Sequence, residues 1–229
     1  MRIFLISLAL VLSYCKPYAQ GSSQAKEGSQ ENLKELANNI FEYPNFVEGI
    51  IILKDSSQYV AKLNYNRILG KFLVIDRMGN TKPFANPDTL DKIIVKTDTF
   101  YYSKNSFLQK VTHFANVNLY VKQTIMYIEK PKGDNGITPV IISDGSKFSY
   151  SFEEPKSENI KIEKNSQFKF ITEYFIADKS MNFFEAEKKN LYDMYPMYKD
   201  KLKKFLQENT VNFNNMAQME KLLQYINGL

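Results

Sequence analysis

The sequence predicts an α+β protein: an antiparallel β-sheet or barrel-like domain followed by a C-terminal layer of about three short helices. Three observations lead there. Between Val47 and Ile176 the apolar residues run continuously or alternate with a period of two, as strands require. After Lys179 they recur at spacings of three, four and seven, the period of helices. Strands first and helices last is the order of an α+β chain, whereas a parallel βαβ fold would alternate them.

The chain begins with Met1-Arg2 and a ten-residue apolar run, Ile3 to Leu12, broken only by Ser7. A membrane-crossing helix needs about 20 apolar residues, so this run has the length of a signal-peptide core instead. Ala19 offers a small residue for cleavage, which makes 1–19 a signal peptide. Acylation at Cys15 would be the lipoprotein alternative, but the bulky Tyr14 stands where a lipidation signal wants a small residue. Residues 20–30, rich in Gly, Ser and Gln, read as a flexible spacer. A β-rich domain is expected over 31–179, opening with a short helix that carries Leu33, Leu36, Ala37 and Ile40 and ends before Pro44.

Strands follow. The β-branched run 47–53 and the alternating run 59–65 flank Asp55-Ser56-Ser57 and form a hairpin, with Tyr59, Ala61, Leu63 and Tyr65 on one face and Lys62 and Asn64 on the other. Residues 71–76 precede a Met78-Gly79-Asn80 turn, and 90–95 and 99–102 flank Asp98. The longest candidate is 117–128, with Val117, Leu119, Val121, Ile125 and Tyr127 sharing a face. Phe148, Tyr150 and Phe152 alternate beyond the loop 130–136, and 168–176 is the last strong strand. The 180–229 segment then reads as helices packed on the sheet, with Phe184, Leu191 and Tyr195 in the first. Pro196 opens the second, Asn214 or Asn215 caps the third, and Gly228 ends it.

At 229 residues, with 44% apolar and 24% charged side chains, the chain is long enough for one principal core. Removing 1–19 takes away Arg2, Lys16 and the lone Cys15, leaving 28 basic and 25 acidic side chains, net +3. So small an excess does not point to nucleic acid, and an exported chain without cysteine must be stabilised by packing. No transmembrane span is expected after cleavage.

His113 is the single imidazole, so a multi-His metal site is excluded and a catalytic triad must use it; its setting, VTHFA, reads as half-buried structure. Asp144-Gly145-Ser146 lacks the G-x-S-x-G pattern and reads as a turn. No phosphate-cradling glycine motif occurs. Asp88, Asp91 and Asp98 lack the alternate spacing of a calcium loop. Tyr101, Tyr102, Tyr192, Tyr195 and Tyr198 suit either a recognition surface or the rim of a core. Lys188, Lys189, Lys199, Lys201, Lys203 and Lys204, interleaved with acids, read as a solvated helical face. No catalytic, cofactor-binding or metal-ligating residue is assigned, and no cofactor is expected.

The signal ending Tyr18-Ala19-Gln20, the stretches GIIILKD (49–55) and AKLNYN (61–66), and the terminal LKKF (202–205) and LLQYIN (222–227) together resemble uncharacterised exported β-rich proteins of Bacteroidota-type bacteria. The resemblance implies a periplasmic or surface location and supplies no active site. The expected role is a non-catalytic binding or structural accessory module of the cell envelope, with an envelope protein or glycan as partner. Two alternatives stand beside it: a carboxylate-based hydrolase of envelope or dietary polymers, and a carrier of apolar ligands.

Overall fold

The computed structural model describes residues 26–27, 36, 38–111, 117–128 and 167–229. Their strands are β1 (Lys26–Glu27), β2 (Val47–Leu53), β3 (Gln58–Asn66), β4 (Lys71–Ile75), β5 (Thr81–Pro83), β6 (Leu90–Val95), β7 (Asp98–Ser103), β8 (Ser106–Lys110), β9 (Leu119–Ile128), β10 (Gln167–Ala177) and β11 (Phe183–Glu185). Three helices follow: α1 (Lys188–Met194), α2 (Lys199–Glu208) and α3 (Met216–Asn227). The strands form one antiparallel sheet in the order β1-β10-β9-β8-β7-β6-β2-β3-β4-β5, with β11 also on β10. The sheet does not close, and the fold is α+β.

Local chemistry explains most boundaries. Asp55 accepts from the Ser57 backbone N–H at 2.9 Å and from its hydroxyl at 2.6 Å, which fixes the turn between β2 and β3. Gly49 sits where a Cβ would lie 2.9 Å from the Ile94 carbonyl oxygen, so β2 and β6 approach too closely there for any other residue. Strands β5 and β8 escape the sequence reading because each is short: β5 contains Pro83, and β8 starts on Ser106.

Two expectations need correction. The Phe184-to-Leu191 spacing suggests a helix, yet Phe184 lies in β11. The Asp178 carboxylate accepts from the backbone N–H groups of Ser180 (2.8 Å) and Asn182 (2.9 Å), closing a tight turn that pairs β11 with β10. Tertiary pairing overrides the seven-residue spacing. The 20–30 spacer is likewise not wholly free, because Lys26–Glu27 pairs with Gln167 and Phe168.

The leading segment follows the same logic. Leu36, Asn38 and Asn39 are helical, and Leu36 and Ile40 pack on Ile68, Ile125 and Phe168. Asn64, assigned to the polar side of its strand, is buried at 1% exposure. Its side chain accepts from the Tyr43 N–H (3.1 Å) and donates to the carbonyls of Tyr43 (2.8 Å) and Asn45 (3.2 Å), tying the segment to β3.

One sheet face carries two adjoining cores. Around β2, β3, β4, β6, β7 and β8, Tyr65, Phe72, Phe100 and Phe107 interlock, the Phe72 ring lying edge-on to Phe100 at 4.9 Å and to Phe107 at 5.0 Å. Around β9 and β10, Leu119, Val121, Tyr174 and Ile176 are covered by Leu191, Leu202, Met219, Leu222, Leu223 and Ile226 of the helices. Pro196 opens a 3-10 turn (Pro196–Tyr198) into α2, Asn215 caps α3 by accepting from the Gln218 N–H, and Gly228 ends it. Phe184, Phe205 and Leu206 pack on this core only partly buried. On the opposite sheet face, Leu108, Tyr120 and Phe183 form a smaller cluster, where burial pushes the Tyr120 phenol up to about 12.

Candidate functional site

The sheet parts at one place, and the parting makes a cleft. β8 and β9 pair at Gln109–Val121 and Lys110–Tyr120, next to their connection. Beyond that point Ser106 to Leu108 stay with β7, while Lys122 to Ile128 stay with β10. The β3–β4 connection enters the gap. The Ile125 N–H donates to the Arg67 carbonyl at 3.0 Å, and the Tyr65 hydroxyl donates to the Gln123 carbonyl at 3.4 Å. The result is a seam where the sheet curls back on itself without closing.

The connection is held rigidly. Asn66 Oδ1 accepts from the N–H groups of Ile68 (3.0 Å) and Leu69 (2.9 Å), and Gly70 takes the left-handed backbone (φ 61°) that closes the turn. The Arg67 guanidinium donates to the carbonyls of Asn39 (2.8 Å) and Phe41 (3.1 Å) and to the Glu42 carboxylate. Both charges of that pair are mostly out of water, at 14% and 7% side-chain exposure.

The seam cleft has a volume of about 370 Å³. Its floor is apolar, from Ile68, Ile125, Met126 and Ile171, and its polar groups are Tyr65, Lys71, Asn105, Ser106, Lys122, Thr124 and Glu173. Lys122 and Glu173 face each other across β9 and β10 and pair at 2.8 Å. Burial pushes the Tyr65 phenol up, so it stays a neutral hydroxyl. Among the described residues three buried donors without a partner lie beside the seam: Asn66 Nδ2, Arg67 Nε and Gln109 Nε2. Orphaned buried donors are rare in native folds.

A second recess, about 710 Å³, lies between the β10–β11 turn and the helices. Met194, Tyr195, Met197, Tyr198, Ile226 and Leu229 line it, with Asp178, Lys179 and Ser180 beside them. Burial pushes the Tyr195 phenol up, and Met197 stands 92% exposed at the rim. A third cleft, about 430 Å³, runs beside β4 and β5 and contains Tyr59, Phe84, Asp76 and Lys82. There Lys82 at 2.7 Å and two turn N–H groups hold the Asp76 carboxyl down at about 2. On the outer sheet face Ile50 stands opposite Val60, which is 70% exposed, and forms an apolar spot.

No family model matches this chain, and no curated protein or solved structure is similar to it.

The residues singled out in the sequence are dispersed. Asp98 accepts from the Tyr43 hydroxyl at 2.7 Å, Asp91 pairs with Lys92 at 3.3 Å, and the Asp88 carbonyl accepts from Lys54 at 2.7 Å. Among the described residues no three His, Cys, Asp or Glu side chains gather as a metal site. Tyr101 joins the outer cluster and Tyr102 the core around Phe107, while Tyr195 and Tyr198 meet in the recess. Lys203 and Lys204 make only long exposed pairs with Asp200 (3.6 Å) and Glu208 (3.9 Å), and Lys199 and Lys201 lie over Tyr192 and Tyr198. His113, Asp144-Gly145-Ser146, Cys15, Phe148, Tyr150 and Phe152 lie outside the described residues. Among the described residues no helix is long and apolar enough to cross a membrane.

The seam residues Lys71, Ser106, Lys122 and Glu173 went unnoticed in the sequence. Each sits on a separate strand, and only the register brings them together. Alternation did place Tyr65 on the inner face.

Proposed function

We propose that this protein is an exported, non-catalytic binding module of the cell envelope that receives a small polar ligand in the seam cleft. One observation carries the reading: a held cleft with an apolar floor and converging hydroxyl, amide and ammonium groups, the general character of a small-molecule site. The exposed Ile50–Val60 spot adds support for contact with a partner surface.

The carboxylates favour binding over hydrolysis. Glycoside hydrolysis by the usual route needs two facing carboxyl groups, one held protonated. Among the described residues each of the three clefts has one side-chain carboxylate, and each is engaged: Glu173 by Lys122, Asp178 by its turn, Asp76 by Lys82. Asp76 and Asp178 are held below their ordinary values, the opposite of what a general acid requires.

Amide-shift mapping by NMR against a panel of oligosaccharides and short peptides tests the site. Shifts at Gly70, Ser106 and Thr124, with the ligand recovered intact, are expected. Consumption of the ligand would instead make the protein an enzyme, and shifts confined to 194–198 would move the site to the recess. Export has its own check. Cleavage after Ala19 removes the single thiol, so the secreted, denatured chain should bind no thiol reagent; one reactive thiol, or acyl labelling, would place processing before or at Cys15.

A further inference from the structure

Resting on the seam-binding reading, we infer that the cleft selects a carboxylated sugar: a uronic acid unit, its ring on the apolar floor and its carboxylate on Lys71. Charge comes first. Glu173 is neutralised by Lys122 at 2.8 Å, whereas exposed Lys71 makes no ion pair among the described residues, so the cleft holds one uncompensated positive charge.

The rest of the wall sets the ligand's body. Ser106, Thr124 and Asn105 offer donors and acceptors suited to ring hydroxyls, and the partly exposed Met126 and Ile171 offer a surface for the C–H face. A volume of about 370 Å³ takes one or two sugar rings and excludes a long chain. A phosphoryl group fits less well. The one guanidinium at the seam, Arg67, is spent on Glu42, Asn39 and Phe41, so the bidentate fork that grips phosphate is missing. Lys71 offers a single point charge, which one carboxylate matches.

The test titrates the processed protein with digalacturonic acid, with its uncharged dimethyl ester, and with acetate, following amide shifts. Saturable shifts at Gly70, Ser106 and Thr124 with the acid, at least tenfold tighter than with the ester, are expected. Lys71→Gln, at an exposed position that leaves the fold alone, should erase that tenfold preference, the loss of one charge-assisted hydrogen bond. The ester binding as tightly as the acid, Lys71→Gln leaving affinity unchanged, or acetate alone reproducing the shifts at equal affinity would each overturn the uronic acid assignment while leaving a cleft that binds. Absence of seam shifts with all three ligands overturns the assignment, and the general panel then decides whether the seam binds anything.

Discussion

Truncation after Lys179 is expected to give an aggregated or rapidly proteolysed product. The deleted segment carries Leu191, Leu202, Met219, Leu222, Leu223 and Ile226, all buried against Leu119, Val121, Tyr174 and Ile176. Burying a large apolar side chain contributes roughly 1.5–3 kcal/mol, so these six account for about 9–18 kcal/mol. That matches or exceeds the roughly 5–15 kcal/mol of net stability typical of a domain. The helices, 7, 10 and 12 residues long, are too short to persist alone in water. Deletion therefore leaves a sheet with an open apolar face. Limited proteolysis and a melting curve decide it: a soluble monomer with an unchanged transition would show the helices to be a separate module.

Glu42→Gln is expected to be the most damaging single change at the seam. It leaves the largely buried Arg67 guanidinium without its counter-charge, and breaking such a pair on one side costs about 3–5 kcal/mol. For a domain of this size that lowers the melting temperature by roughly 6–20 °C. The paired change Glu42→Leu with Arg67→Met should recover part of the loss, since no charge is then stranded; the Asn39 and Phe41 carbonyls, deprived of the guanidinium, keep recovery incomplete. A single variant melting within about 2 °C of the parent would mean that the pair contributes little, and the rigidity of the β3–β4 connection would need another source.

The sequence carried those features that depend on near neighbours. The spans of β2 and β6, an asparagine cap at 214 or 215 and the Gly228 stop were readable because each follows from residue type at short range. The apolar face of the terminal helices was readable from spacing alone. Features set by distant partners were not. Phe184 became strand because of β10, and Asn64 became buried because Tyr43 returns to it. The seam lies wholly in this second class. It exists because β8 and β9 separate after Lys110–Tyr120 and Gln109–Val121, and no local pattern announces where two strands stop pairing.

The sharing of one β10 edge by β1 and β11 bears on how that edge is kept closed. An uncovered strand edge recruits other chains, and here each end of the edge has a different guard. β11 folds back through a tight turn beside β10, so its cover forms with little loss of chain freedom. β1 must return from the far end of the chain to reach Phe168. Loop-closure entropy, growing as the logarithm of the separation, makes that return costlier by roughly 3 kcal/mol. One guard is thus kinetic, present as soon as the hairpin forms, and the other belongs only to the completed fold. A nascent chain would screen the β11 end of β10 early and leave the β1 end open until the whole sheet is in place.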